Sequence, residues 1–182
     1  MNRDESRFAA FAMLVRDLCQ LRRGPEDMPY SKRLFTTLVG ASVALDVASS
    51  FALGQPSHAL ARSLVSTGLM LALCGIALGI RRLDNRYVQT ASALVACSMF
   101  FSLLILPLAW LAGPTPAPPA ALSPLQVLVG WAMLAIVVWS VVVDAHIIRR
   151  ALDAPFVFGL ALALAWTIAD WALGSALFDA AG

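Results

Sequence analysis

Five apolar stretches, at about 34–53, 59–80, 87–112, 125–147 and 156–178, decide what this chain can become. Each is near or above the ~20 residues that an α-helix needs to cross ~30 Å of hydrocarbon. Composition agrees: 60% of residues are hydrophobic and 13% charged, whereas a soluble domain carries about 45–50% and about 25%. The expected fold is therefore all-α, an integral membrane bundle of five transmembrane helices. Residues 34–182 form the membrane domain, preceded by a cytoplasmic segment over 1–33.

The segment over 4–23 reads as an amphipathic helix. Phe8, Phe11, Val15 and Leu18 recur at steps of three and four, Leu21 prolongs the stripe, and Arg16, Gln20 and Arg23 lie on another face. Such a helix either lies in the headgroup plane or packs on the ends of the other helices. Between Arg7 and Arg16, FAAFAMLV is short like a signal core but lacks a small-x-small cleavage site, so retention is expected. Pro25 and Pro29 then make GPEDMPYSKR (24–33) a hinge, with Ser31 as a candidate cap for the first span.

The later connections are short. GQPSH (54–58) is a tight turn, RRLDNR (81–86) and RRALDAP (149–155) are charged, and GPTPAPPAALSP (113–124) is uncharged and proline-rich, expected to be partly polyproline-like. Pro107 predicts a kink in the third span.

Lysine and arginine set the orientation. Arg3, Arg7, Arg16, Arg22, Arg23, Lys32 and Arg33 precede the first span; Arg81, Arg82 and Arg86 follow the second; Arg149 and Arg150 follow the fourth. Five crossings put all twelve on one side and leave Arg62 alone on the other. The positive-inside rule then places the N-terminus in the cytoplasm and the C-terminus in the periplasm. Four crossings would break this asymmetry. Trp110 falls near the outer interface, while Trp131, Trp139, Trp166 and Trp171 are expected to be packing residues.

Charges inside the spans are the candidate functional residues. At ~1.5 Å per residue, Asp46 lies about 18 Å into the first span and Asp170 about 21 Å into the fifth, while Arg62 lies ~5 Å in from the outside. A central Asp costs roughly 2.5–3.5 kcal/mol on insertion, against about 0.3–0.6 returned by each central Leu, Ile, Val or Phe. The expectation is a buried polar cluster in which Arg62 neutralises Asp46 and Asp170 shares the site. Ser42, Ser49 and Ser50 flank Asp46, Ser63 and Ser66 flank Arg62, and His58 stands at the mouth. The cluster either glues helices together or forms a functional polar pocket, where two carboxylates sharing one arginine provide for proton exchange. Asp144, with Ser140, His146 and Arg149 nearby, reads as an interfacial acid reaching water.

Other signals are weak. Cys19, Cys74 and Cys97 show neither paired nor metal-ligand spacing, and Cys74 and Cys97 read as small apolar fillers. GIALG (75–79) is a small-xxx-small pattern that suits close helix contact, within the bundle or between copies. There is no GxSxG, HExxH, Walker or dinucleotide-binding motif, so no enzyme, cofactor or metal is expected. The basic N-terminal segment adjoins a membrane, so its expected partner is lipid and not nucleic acid.

A cytoplasmic lead, five closely spaced spans and a short outer tail over 24–178 resemble the Yip1-like family, and RRGPEDMPYS (22–31) is similar to segments of small proteobacterial five-span membrane proteins. The resemblance implies membrane organisation through protein partners, without catalysis. Twelve arginines against one lysine suggest a GC-rich bacterial genome and an inner membrane. The sequence reading is thus a non-catalytic scaffold or accessory subunit that meets lipid and a membrane-protein partner or second copy. The alternative is a small transporter or channel subunit passing a proton or small solute by the Asp/Arg cluster.

Overall fold

The computed structural model describes residues 3–54, 57–113 and 123–179, with the backbone alone at 3–7 and 179. Six α-helices follow in order: α1 Arg3–Cys19, α2 Lys32–Ala52, α3 Ala59–Ile80, α4 Tyr87–Ala112, α5 Pro124–Ala151 and α6 Phe156–Gly174. The last continues as a π-helical turn, Ser175–Asp179. The last five are long and apolar enough to cross a membrane, and the protein is an all-helical integral membrane protein. Residues 55 and 56 of the turn over 54–58, and most of the proline-rich connection over 113–124, lie outside the described residues.

Local chemistry fixes the helix starts. Ser31 caps α2 by accepting the Leu34 amide at 3.2 Å. Ser123 and Gln126 cap α5 reciprocally: the Gln126 amide donates to the serine hydroxyl at 3.2 Å and the Ser123 amide to Gln126 Oε1 at 2.9 Å. Pro124, just inside that start, gives up an amide hydrogen that had no helical partner. Pro107 is accommodated within α4.

The membrane helices contact one another in a closed circuit, α2–α3–α6–α5–α4 and back to α2, with α3 also touching α4. The circuit departs from chain order because α6 inserts between α3 and α5. α5 and α6 come into close contact where Gly159 faces the Ala145 carbonyl and Arg149 backbone. The GIALG glycines serve contacts within the chain, Gly75 against the Tyr87 ring and Gly79 against Asp84.

α1 packs against α4 and α5 with Val15, Leu18 and Cys19 buried, while Phe8 and Leu21, the ends of the expected stripe, are exposed. Polar contacts hold it there. Trp139 Nε1 donates to the Cys19 carbonyl at 2.9 Å. His146 Nε2 lies 3.2 Å from the Arg23 carbonyl. Gln89 donates to the Met28 carbonyl at 2.7 Å, and Arg150 pairs with Glu26. With this cover, α4 is buried on every side from Thr90 to Cys97. At the same end Arg86 pairs with Asp153 at 2.8 Å and donates to the Ala151 carbonyl at 3.1 Å, joining two turns.

The opposite end is aromatic. Trp110, Trp131 and Trp171 are exposed there, so Trp131 and Trp171 are lipid-facing rather than packing residues. Tryptophan suits the membrane interface because its ring is apolar and its N–H needs a polar partner. Trp139 is also partly exposed, but it packs on Phe100 and Phe101 and is fixed by the Cys19 carbonyl.

Candidate functional site

The polar residues of the spans line two adjoining cavities. The first, of about 310 Å³, is a vestibule at the end opposite the arginine-rich turns, and Asp46, Arg62 and Asp170 all line it. The second, of about 210 Å³, is an inner chamber walled by all five membrane helices. It contains Asp46, Asp144 and Asp170, together with hydroxyls from Ser42, Ser66, Thr67, Ser98, Ser140 and Thr167. Asp46, Ser66 and Asp170 border both spaces. Toward the arginine-rich end the chamber gives way to an apolar layer including Cys74, Leu78, Ile148 and Leu152, all buried.

The expected pairing of Asp46 with Arg62 does not form: no ion pair among the described residues includes Arg62. Asp46 Oδ2 instead accepts the Ser63 hydroxyl at 2.9 Å. One residue step turns a helix by about 100°. Ser63 is buried and aimed at α2, so its predecessor is turned elsewhere. The Arg62 guanidinium lies beside α6, where a β-carbon at Gly174 would stand 3.5 Å from Nη2.

The other expected residues divide between the two spaces. Ser49 borders the vestibule, and its hydroxyl is buried without a hydrogen-bond partner. Ser42 borders the chamber and donates to its own helix at the Val39 carbonyl, 3.0 Å away. His58 stands at the mouth on the Phe178 ring, with centroids 5.8 Å apart. Asp144 does not reach outward to Arg149 but borders the chamber with Ser140.

His146 is separated from Asp144 by about 200° of helix rotation and faces the opposite way, onto the hinge. A carbonyl only accepts, so Nε2 carries the proton and donates to Arg23, leaving Nδ1 to accept from Arg149 Nη2 at 3.4 Å.

Sequence reasoning missed Ser98, Ser102, Thr67 and Thr167 as wall residues. For all four a signal was present: Ser98 and Ser102 are four apart on α4, Thr67 lies four after Ser63 on α3, and Thr167 lies three before Asp170 on α6. Such spacings put two polar groups on one helix face. Among the described residues no group of acidic, histidine or cysteine side chains is arranged to hold a metal ion. The three cysteines are free and buried, Cys74 and Cys97 in the apolar core as expected.

Comparison with protein-family models, curated proteins and solved structures finds no match for the chain.

Proposed function

We propose that this protein is a small-solute transporter or channel subunit of a bacterial inner membrane, with α1 in the cytoplasm and the vestibule facing the periplasm. The observation that carries the reading is the pair of adjoining polar cavities inside a closed circuit of helices. A bundle serving only as a scaffold gains most from a dry, filled core, because polar groups in a membrane interior are costly. Here three helices each commit a carboxylate to one chamber. The vestibule admits a solute from one side, and Asp46 and Asp170 stand where it passes inward.

The apolar layer beyond the chamber closes this arrangement toward the arginine-rich side. Alternating access then requires Leu78, Ile148 and their neighbours to separate. The arginine distribution supports the orientation, with Arg62 alone at the vestibule end.

Proteoliposome flux tests the reading. Asp46→Asn preserves shape and removes the charge, so transport through this route should fall at least tenfold while the protein still elutes as a folded species. Undiminished flux would remove Asp46 from the pathway and with it this assignment.

A further inference from the structure

We infer that the vestibule binds a small zwitterion, a neutral α-amino acid, with its carboxylate on Arg62 and its ammonium on the Asp46–Asp170 side. This rests on the transport reading and names its solute class.

The charges supply the first reason. Arg62 shares the vestibule with two carboxylates yet makes no ion pair or hydrogen bond with a described side chain. A guanidinium offers a planar fork of donors suited to a carboxylate, and this fork is left available. On the acidic side, the Ser63 hydroxyl occupies Asp46 Oδ2, and no hydrogen bond from a described residue occupies Oδ1 or the Asp170 carboxylate. An ammonium donates three hydrogen bonds, all to acceptors.

Selectivity follows from having both signs. A simple amine would satisfy the acids but meet the positive field of Arg62 unanswered. A simple carboxylate would satisfy Arg62 but face two acids. Only a solute with both groups answers both, and leaving either side unanswered is how a polar site rejects a near match. The remaining wall is apolar, with Leu53, Val65, Ile105, Leu106 and Phe178, which suits an aliphatic side chain. Room is adequate: 310 Å³ holds roughly ten waters at about 30 Å³ each, comparable to one amino acid.

The test is equilibrium binding of radiolabelled neutral amino acids to the full-length protein in nanodiscs, with leucine competed by isoamylamine and by 4-methylpentanoate. These competitors lack the carboxylate and the ammonium respectively. At least one neutral amino acid should bind, and each competitor should be at least tenfold weaker than unlabelled leucine or that amino acid. Arg62→Gln should abolish the preference over the amine, Asp46→Asn the preference over the acid, and Arg62→Lys should restore part of the first. Vestibule binding of the amine as tight as of the amino acid overturns the inference, as does absence of amino-acid binding by the folded protein. Flux of some other solute, lost in Asp46→Asn, would overturn the inference and leave the transport reading standing. Amino-acid binding without flux in proteoliposomes would do the reverse.

Discussion

Gly159→Ala offers the sharpest test of how this bundle is held together. A β-carbon built there would stand under 3.0 Å from the Ala145 carbonyl oxygen and 3.1 Å from both the backbone nitrogen and the β-carbon of Arg149. Two of these three atoms are backbone, so no rotamer change relieves the contact. Reaching an ordinary 3.4 Å separation requires the helices to part by at least ~0.4 Å at this point. Overpacking of this kind costs about 1–3 kcal/mol. Alanine also favours the helix over glycine by about 0.5–1 kcal/mol. Gly40→Ala and Gly68→Ala isolate that second effect, because a β-carbon at either position meets nothing within 4 Å. Relative to these controls, in which the propensity gain is shared and cancels, Gly159→Ala should therefore be less stable by about 1–3 kcal/mol. Reversible unfolding in mixed micelles measures the difference. Parting α5 from α6 should also shift Asp144 relative to Thr167 and Asp170, so solute flux should fall along with stability. Equal stability of the three variants would show that α5 and α6 are not in the close contact described.

Three further outcomes are expected. A double-mutant cycle on Asp46→Asn and Ser63→Ala should show coupling of about 0.6 kcal/mol, up to about 1.7, whereas a cycle on Asp46 and Arg62 should show almost none; the reverse pattern would restore the ion pair that sequence reading expects. Trp139→Phe keeps the aromatic packing but removes the bond to the Cys19 carbonyl, so it should cost about 1 kcal/mol and speed maleimide labelling of Cys19, and unchanged labelling would mean that this bond does not hold α1 down. Glu26→Gln should lower stability by under about 1 kcal/mol and lose even that in high salt, since both partners of the pair are largely exposed; a larger, salt-insensitive loss in unfolding titrations would contradict that placement.

The spans were legible because their signal is additive: about twenty apolar residues in a row leave one physical solution. Ser31 was legible because capping is a local bond, as was the apolar burial of Cys74 and Cys97. Partner choice was not legible. Asp46 and Arg62 lie at similar depth, and opposite charges at similar depth suggest a pair. Which residue of α3 meets Asp46 depends on helix rotation, and one step of about 100° gives that place to Ser63. Asp144 was misplaced for the same reason. Its depth and its basic neighbours were visible, but the rotation that points His146 to the hinge and Asp144 to the chamber comes from tertiary packing. The ring order was hidden as well, because the contact of α3 with α6 joins segments far apart in the chain.

The distribution of charge across the helices links insertion to function. A transmembrane segment must first be stable enough in the bilayer by itself, and one central acid at roughly 2.5–3.5 kcal/mol consumes the contribution of several leucines. Two on the same helix would threaten insertion. Here α2 carries Asp46, α3 carries Arg62, α5 carries Asp144 and α6 carries Asp170, with no other acid or base between residues 34 and 53, 63 and 80, 125 and 143, or 156 and 169. Each span thus bears a tolerable load alone, and the polar site exists only after the helices assemble. A structural role would be met by one matched pair. Three carboxyl groups lining one chamber, with the vestibule's arginine turned aside toward α6, leave an excess of acidic groups that structure alone does not require. That excess is what a passing ammonium or proton would neutralise, and it is the physical reason for reading the bundle as a conduit.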